Sequence, residues 1–328
     1  MGKPAVDPVR RRVAPPHPRP TRPLPPGRVI SLPGLPEDVI AEADGRLLAG
    51  LDTGVIVRYD PASGATTTVA KTGGRPLGLE LLPDGRILVC CAGRGLLRAD
   101  PDTGQVETLV ESIGGRRLRF CSNAAAGADG TIWFTESTDR FDFEHYRGAL
   151  LEQRPSGGLY RRDPDGAVET VQSGLYFANG VALTPDESAL YFVETGDYAV
   201  NRLDITGPDQ GRRQRILDNL AGFPDNMSRF SDGRAWIAIV NPRFSVLDRL
   251  ADTPPVLRKV VWRIPEKLQP PVPQAIHVIA IDPAGAVVDE VFGHRDDFES
   301  PTGAVQIGDT LYLASLTVPA ILEVDLTG

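Results

Sequence analysis

The sequence predicts an all-β protein, a six-bladed β-propeller with four-stranded blades. Three observations lead to this prediction. Short apolar runs of strand length alternate with turn signals from about residue 28 to the end of the chain. The turns recur in a similar order in six successive units, as is typical of radially repeated folds. Residues with oxygen-bearing side chains recur at nearly one position of the unit.

The first 27 residues differ in composition from the rest of the chain. They are rich in proline and arginine, as in Arg10-Arg11-Arg12 and Pro23-Leu24-Pro25-Pro26-Gly27. Such a segment cannot build a core of its own, so residues 1–27 are expected to be an arm laid over the fold, or disordered. The propeller domain is then expected to comprise residues 28–328.

The first two units show the plan of the repeat. In the first, a turn at Asp44-Gly45 follows the opening strand, and further turns lie at 52–54 and 61–64. Its predicted strands are 39–43, 46–50, 55–60 and 65–70. The second unit repeats this order, with predicted strands at 77–82, 86–91, 95–99 and 105–110.

The later units follow the same order but carry insertions in units three and five, at 139–156 and 241–275. They begin near residues 120, 177, 223 and 301. The sixth unit is one strand short, and residues 27–32 can supply that strand from the other end of the chain. This would close the ring and leave no open sheet edge. A sandwich or a pair of barrels would not explain the similar order of turns in every unit.

The bulk properties exclude several classes of protein. A net charge of −8 over 328 residues argues against a general nucleic-acid binder. No apolar run reaches the roughly 18 residues of a membrane-spanning helix, and the N-terminus has no apolar signal segment. The three cysteines, Cys90, Cys91 and Cys121, are an odd number and are expected to be free, buried thiols. We expect a cytoplasmic protein with no nucleic-acid or membrane partner.

The repeated polar position predicts a metal site. Glu37, Asn179 and Asp225 lie seven residues before the turn residues Asp44, Asp186 and Asp232. In the third unit Asn123 lies six residues before Asp129, with Ser122 as the alternative. Because the first strands of six radial blades converge on the axis, residues distant in sequence can bind one ion there. Glu37, Asn123, Asn179 and Asp225 are hard oxygen donors that suit Ca²⁺, and another divalent cation would fit them too.

Two stretches resemble the signature region of strictosidine synthase-like proteins. They are LYFANGVAL at 175–183 and DNLAGFPDN at 218–226. The surrounding units resemble the wider gluconolactonase/regucalcin (SMP-30-like) group, and Pro36-Glu37-Asp38-Val39 is similar to its first-blade metal motif. The resemblance covers about residues 29–326. It implies a six-bladed propeller with a central Ca²⁺ held by Glu37, Asn123, Asn179 and Asp225.

The chain departs from the family pattern at two places. Ala124 stands where an acidic residue usually follows the third-blade asparagine. Strictosidine synthase itself requires a glutamate at the start of the sixth blade, whereas residues 300–304 here contain no acid and Glu299 lies just outside them. The resemblance therefore does not imply formation of strictosidine.

The chemistry expected from this site is hydrolysis. A bound Ca²⁺ can polarise a lactone or ester carbonyl, and a carboxylate beside it can position or deprotonate a water molecule. Asp225 is predicted to be both ligand and catalytic base, while Glu37 mainly holds the ion. No Gly-x-Ser-x-Gly elbow or spaced histidine pair supports a serine or zinc hydrolase. The first hypothesis is a Ca²⁺-dependent lactonase or esterase acting on a small molecule.

The two insertions are expected to form a cap that selects the substrate. Phe143, His145 and Tyr146 in the first insertion, with Thr302 of the sixth unit, are candidate pocket residues. The second insertion shows the spacing of short amphipathic helices. Two other functions stay open: a biosynthetic enzyme that uses the same pocket for condensation or cyclisation, and a propeller that binds a ligand without turnover. The sequence leaves the oligomeric state open.

Overall fold

Tight turns reverse the chain between neighbouring strands throughout the fold. In the first of these hairpins Gly45 has a φ of 87°, a left-handed value that glycine adopts without steric cost. The computed structural model describes residues 3–269 and 271–327. Two strands precede the first blade: β1, Arg22–Pro23, and β2, Gly27–Ser31.

Six sheets follow one another around the ring, and the predicted six-bladed propeller is confirmed. Blade one contains β3 Pro36–Ala41, β4 Leu47–Leu51, β5 Val55–Tyr59 and β6 Thr66–Lys71. Blade two contains β7 Arg75–Leu81, β8 Ile87–Ala92, β9 Gly95–Ala99 and β10 Val106–Val110, followed by a small hairpin of β11 Ser112–Ile113 and β12 Arg116–Arg117. Blade three contains β13 Cys121–Ala126, β14 Ile132–Glu136, β15 Gly157–Arg162 and β16 Val168–Leu175.

The remaining blades repeat this meander. Blade four contains β17 Ala178–Leu183, β18 Ala189–Glu194, β19 Ala199–Asp204 and β20 Arg213–Leu217. Blade five contains β21 Gly222–Met227, β22 Ala235–Pro242, β23 Ile276–Ile281 and β24 Val287–Gly293, with β1 added in parallel at its edge. Blade six contains β25 Pro301–Ile307, β26 Thr310–Ser315 and β27 Ala320–Asp325.

The two ends of the chain close the ring in blade six. β2 pairs antiparallel with β27, from Gly27 opposite Val324 to Ser31 opposite Ala320. The outer strand missing from the sixth repeat therefore comes from the N-terminal side, as the sequence predicted. This pairing covers the edge of β27, which would otherwise present unpaired backbone groups.

The core lies between the blades rather than inside one sheet. Six apolar clusters each join two neighbouring blades, as where Leu159 of blade three packs with Leu190 of blade four. The three cysteines are free and buried in this core, as predicted. Among the described residues, no helix is long and apolar enough to cross a membrane.

Helices occur in the two insertions. α1, Tyr146–Glu152, lies between β14 and β15, whereas α2, Ser245–Ala251, and α3, Pro255–Arg263, lie between β22 and β23. The short amphipathic helices predicted for the second insertion are confirmed, but the sequence analysis did not anticipate α1. All three helices contribute side chains to one apolar cluster on a face of the propeller. That they cap a substrate stays a prediction.

The N-terminal arm runs along these helices. The Val9 amide donates to the Glu152 carbonyl at 2.8 Å, and the Arg11 amide donates to the Ala251 carbonyl at 2.9 Å. The fully buried Arg258 guanidinium of α3 donates to the carbonyls of Leu151 and Val9 at 3.0 and 2.7 Å. One side chain therefore ties the arm to both α1 and α3. Residues 1 and 2 of the predicted arm lie outside the described part of the chain.

An ion pair spans the axis at the end of the inner strands; Glu80 is buried, whereas the Arg229 side chain is exposed. Arg229, just after β21, donates to Glu80 of β7 at 2.6 Å, so opposite blades five and two are linked. Burial raises the pKa of Glu80 to about 7, although the Arg229 charge and hydrogen bond act in the opposite direction. The folded protein therefore holds a proton on Glu80 at pH values where the unfolded chain has lost it.

This difference predicts a pH-dependent stability. With a folded pKa above the unfolded one, the contribution of Glu80 is fully present below about pH 4.5 and is lost as the pH rises through 7. Glu80→Gln removes this titration, so the variant should become more stable relative to wild type, with a larger free energy of unfolding, as the pH rises from 4.5 to 8. The change is expected to be on the order of 3 kcal/mol.

Urea unfolding of both proteins across this pH range measures the effect. Glu111→Gln, at an exposed position just after the last strand of blade two, is the matched control and should follow wild type at every pH. If the difference in free energy of unfolding between Glu80→Gln and wild type does not change with pH, the raised pKa of Glu80 in the folded protein is contradicted.

Candidate functional site

A bulge near the start of every inner strand builds the site. In β3, Pro36 is opposite Leu51 but Asp38 is opposite Gly50, so Glu37 is left without a ladder partner. The same one-residue slip occurs in the other five inner strands. The residues at the first bulge position, blade by blade, are Glu37, Leu77, Ser122, Asn179, Asp225 and Thr302. A bulge re-aims side chains, and this repeated bulge turns six of them toward the axis.

Three of the four predicted metal ligands meet at the axis. Glu37, Asn179 and Asp225 come from blades one, four and five and line the floor of a single cavity. Asn179 Nδ2 donates a hydrogen bond to Asp225 Oδ1 and lies 3.4 Å from Thr195 Oγ1. Thr195 in turn donates to the Pro224 carbonyl at 2.6 Å, which fixes the start of the blade-five bulge.

Glu37 is buried and Asp225 is half-buried, and the two carboxyl groups influence each other. Burial raises the pKa of Asp225 well above its usual range, and the nearby Glu37 charge raises it further, while the Asn179 hydrogen bond opposes both effects. Burial also raises the pKa of Glu37, opposed by Arg75, whose guanidinium lies 2.6 Å from Glu37 Oε2. Paired carboxyls in such surroundings favour binding a cation or accepting a proton.

A second ring of residues lies directly beneath the first. At the following position the blades carry, in order, Asp38, Gly78, Asn123, Gly180, Asn226 and Gly303. Asp38 Oδ2 accepts a hydrogen bond from the Leu79 amide at 2.9 Å, and Asn123 Oδ1 accepts one from the Val181 amide at 3.0 Å. Asp38 and Asn123 therefore each bind the next blade just past that blade's glycine.

The structure does not bring Asn123 to the cavity. Its amide nitrogen donates to Asn226 Oδ1 at 3.2 Å and its oxygen is bound to Val181, so both ends serve the second ring. Ser122 lines the cavity instead, at the position equivalent to Asn179. The seven-residue offset already indicated Ser122, since it lies seven residues before Asp129. That Asn123 binds metal stays a prediction, and it would require Asn123 to leave these partners.

The cavity above this floor has a volume of about 250 Å³. Phe143 and Tyr146 line it, as predicted for pocket residues. His145 does not line the cavity. The centroid of its ring lies 6.4 Å from the ring centroid of Trp262. Thr302 is fully buried and is not part of the wall either. The pocket roles of these four residues stay predictions.

Several residues of the site were missed by the sequence analysis. Arg75 pairs with Glu37 and stacks on Phe143, with its guanidinium carbon 4.4 Å from the ring centroid. Asn226 donates toward the carbonyls of Glu37 and Leu77 at 3.3 and 3.4 Å. The repeat could have identified Asn226, one position after Asp225, but no repeated feature distinguishes Arg75.

The donor set of the floor fits a hard divalent cation. Two carboxylates, an amide and a hydroxyl supply oxygen, which Ca²⁺ prefers. Thr302 Oγ1, at the same ring position, is buried without a hydrogen-bond partner in the structure, so the axis has a polar atom available for a further ligand. Within the residues described, no three of the types histidine, cysteine, aspartate and glutamate gather at one metal-binding position. A site here would depend on amide and hydroxyl oxygens as well.

The chain is similar to known proteins over most of its length. Residues 36–253 match the family model described as SMP-30/Gluconolactonase/LRE-like region. The adipocyte plasma membrane-associated protein of Salmo salar is 32% identical over 307 residues, covering 87% of this chain and 72% of that protein. Protein strictosidine synthase-like 6 of Arabidopsis thaliana is 30% identical over 304 residues, covering 90% and 80%.

Solved structures share the fold at lower identity. A gluconolactonase from Xanthomonas campestris superposes with a TM-score of 0.66 at 19% identity, covering 98% of each chain. Regucalcin from Agrobacterium tumefaciens, described as a calcium-binding protein, has a TM-score of 0.64 at 17% identity and covers 93% of this chain and 95% of its own. These likenesses support the six-bladed architecture.

The two rings predict different effects of neighbouring substitutions. Asn123→Ala removes two side-chain hydrogen bonds inside the axis and should lower the free energy of unfolding by about 1–3 kcal/mol. Ser122→Ala should cost less, because Ser137, the partner of Ser122, keeps its 2.8 Å bond to the Ala178 carbonyl. Urea unfolding of both variants, with calcium affinity measured by calorimetry, tests this difference. Wild-type stability with lost calcium binding in Asn123→Ala would show that Asn123 is a ligand instead.

Proposed function

This chain belongs to the SMP-30/Gluconolactonase/LRE-like family, and on that premise we propose that it is a hydrolase of a small-molecule lactone or ester that depends on a divalent cation, Ca²⁺. One observation carries the proposal. Glu37, Asn179 and Asp225, from three different blades, converge on the floor of a cavity with largely apolar walls. Polar groups gathered at one end of an apolar pocket are typical of a catalytic or binding site.

The residues of the floor have different proposed roles. Glu37, Asn179 and Asp225 would hold the cation, with Ser122 and Thr302 as further oxygen donors at the same ring position. When bound, the ion supplies polarisation of the substrate carbonyl and stabilises the negative charge that develops on its oxygen. Arg75 stays outside this set: it holds Glu37 in place at 2.6 Å and favours the ionised carboxylate.

Asp225 is the proposed base. In the cation-free protein burial raises its pKa, whereas a bound cation would favour the ionised carboxylate that can accept a proton. The hydrogen bond from Asn179 orients the carboxyl group by holding Oδ1. A water molecule on the cavity floor can therefore be positioned against Asp225 and give up its proton as it attacks the carbonyl carbon. The proton passes from Asp225 to the leaving alkoxide, which balances the step.

The condensation alternative has less support. Its acid would be expected at the start of blade six, where Thr302 occupies the ring position. Glu299 lies outside the cavity wall, and its carboxyl oxygen accepts from Thr317 at 3.3 Å. Hydrolysis requires only groups that lie on the cavity floor, namely Glu37, Asn179 and Asp225.

Substitution of the base tests the proposal. Asp225→Asn removes the proton acceptor and one charged ligand, so kcat/KM for a panel of small lactones and aryl esters should fall at least about a hundred-fold. Asp232→Asn is the matched control, because Asp232 is exposed in a turn, and asparagine tolerates its φ of 50°. This control should keep wild-type activity.

Removal of the cation is the second arm of the same test. Activity should be lost in EGTA and restored by added calcium, and calcium should raise the Tm of wild type more than that of Asp225→Asn. Full activity in EGTA, or full activity of Asp225→Asn, would contradict the proposed chemistry.

A further inference from the structure

We propose that the substrate class is an ester or lactone with an alkyl chain or an aromatic ring, rather than a polyhydroxylated sugar lactone. This inference rests on the proposed hydrolysis at the Asp225 floor. Its evidence is separate, however, because it comes from the walls of the cavity and from the two insertions that build them.

The walls are mostly apolar. Three phenylalanines, Phe120, Phe177 and Phe223, rise from the segments before or within inner strands of blades three to five. Helices α1 and α2 face them with Leu150 and Leu247, and α3 adds Trp262. An aromatic ring or alkyl chain entering this space would leave water and contact mostly carbon.

Three polar side chains in the wall, Asn241, Gln274 and Ser300, are already paired with each other. Asn241 Nδ2 donates to Gln274 Oε1 at 2.6 Å and to Ser300 Oγ at 3.0 Å. Ser300 Oγ donates to the same Gln274 oxygen at 2.5 Å. Thr317, also in the wall, is 3.3 Å from Glu299. The hydroxyl groups of a sugar would have to break these bonds or stay without partners.

The free-energy consequences separate the two substrate classes. Each methylene buried against apolar walls strengthens binding about four-fold. Each hydroxyl buried without a partner weakens binding by about ten-fold. A sugar lactone carries several hydroxyls, so the walls select strongly against it even though its carbonyl could reach the floor.

The volume sets the size of the apolar group. A cavity of roughly 150 Å³ accepts benzene in another protein, whereas this cavity measures about 250 Å³. It therefore has room for a ring with a short chain, or for an alkyl chain of comparable volume. Longer substrates would have to extend past Val246, which lines the cavity and is 40% exposed at its mouth.

A chain-length series tests the inference on the wild-type protein. With p-nitrophenyl esters and γ-alkyl-γ-lactones of increasing length, kcat/KM should rise about four-fold per methylene and then level off once the cavity is filled. Glucono-1,5-lactone should be turned over at least a hundred-fold less efficiently than the best alkyl lactone. A flat series, or glucono-1,5-lactone as the best substrate, would overturn the inference.

Binding measured without turnover separates this inference from the proposed function. γ-Alkyl-γ-lactams keep the ring and the chain but resist hydrolysis, and calorimetry gives their affinities. If no ester or lactone is hydrolysed but lactam affinity rises with chain length, hydrolysis fails and the apolar ligand class stands. If sugar lactones are hydrolysed and alkyl lactams do not bind, the apolar class fails and hydrolysis stands.

A matched pair of variants tests the role of the wall. Leu247→Asp places a charge in the cavity wall and should abolish the gain in kcat/KM per methylene. Val256→Asp, on the exposed side of the same insertion at 61% exposure, should keep the wild-type series. If kcat/KM rises equally per methylene in both variants, Leu247 does not form the substrate-binding wall. Circular dichroism verifies that each variant is folded.

Discussion

The close approach of six inner strands at the axis is the constraint on which the rest of the structure depends. In the second ring, polar side chains alternate with glycines, and each glycine makes room for its neighbours. A Cβ on Gly303 would lie 2.3 Å from Asp38 Oδ1, and one on Gly180 would lie 2.4 Å from the Met227 nitrogen. Such distances are far inside van der Waals contact, so only glycine fits there. The hydrogen bonds of the second ring in turn hold the first ring at the cavity floor.

Burial at this floor is what gives the carboxyl groups their reactivity. In water an aspartate is a weak base, but Asp225 is half-buried on the cavity floor and lies near a second carboxyl, so its charged form is disfavoured until a cation or a proton arrives. The apolar walls above it keep the surroundings at low polarity, which strengthens every electrostatic interaction on the floor. In the proposed function, the same walls would select the substrate. Reactivity and specificity would then have one physical origin, the exclusion of water from one end of the propeller.

Much of the fold was accessible from the sequence because it repeats. The order of the turns predicted the blades. Because the sixth unit is one strand short, the sequence also predicted that Gly27–Ser31 pairs with the last strand. The phase of the repeat found Glu37, Asn179 and Asp225. In the third blade the predicted ligand Asn123 is offset by one residue from the repeat, so that Ser122 lines the cavity and Asn123 lies in the second ring. Arg75 and the arm-binding Arg258 belong to no repeat, since their partners come from other blades or insertions, and three-dimensional contacts alone identify them.

A crystal structure of the protein grown with calcium tests the central claim most directly. The account predicts one anomalous peak on the axis, with oxygens of Glu37, Asn179 and Asp225 within the roughly 2.3–2.6 Å usual for this ion. An axis without a peak at saturating calcium, or a peak bound only by other residues, would contradict it.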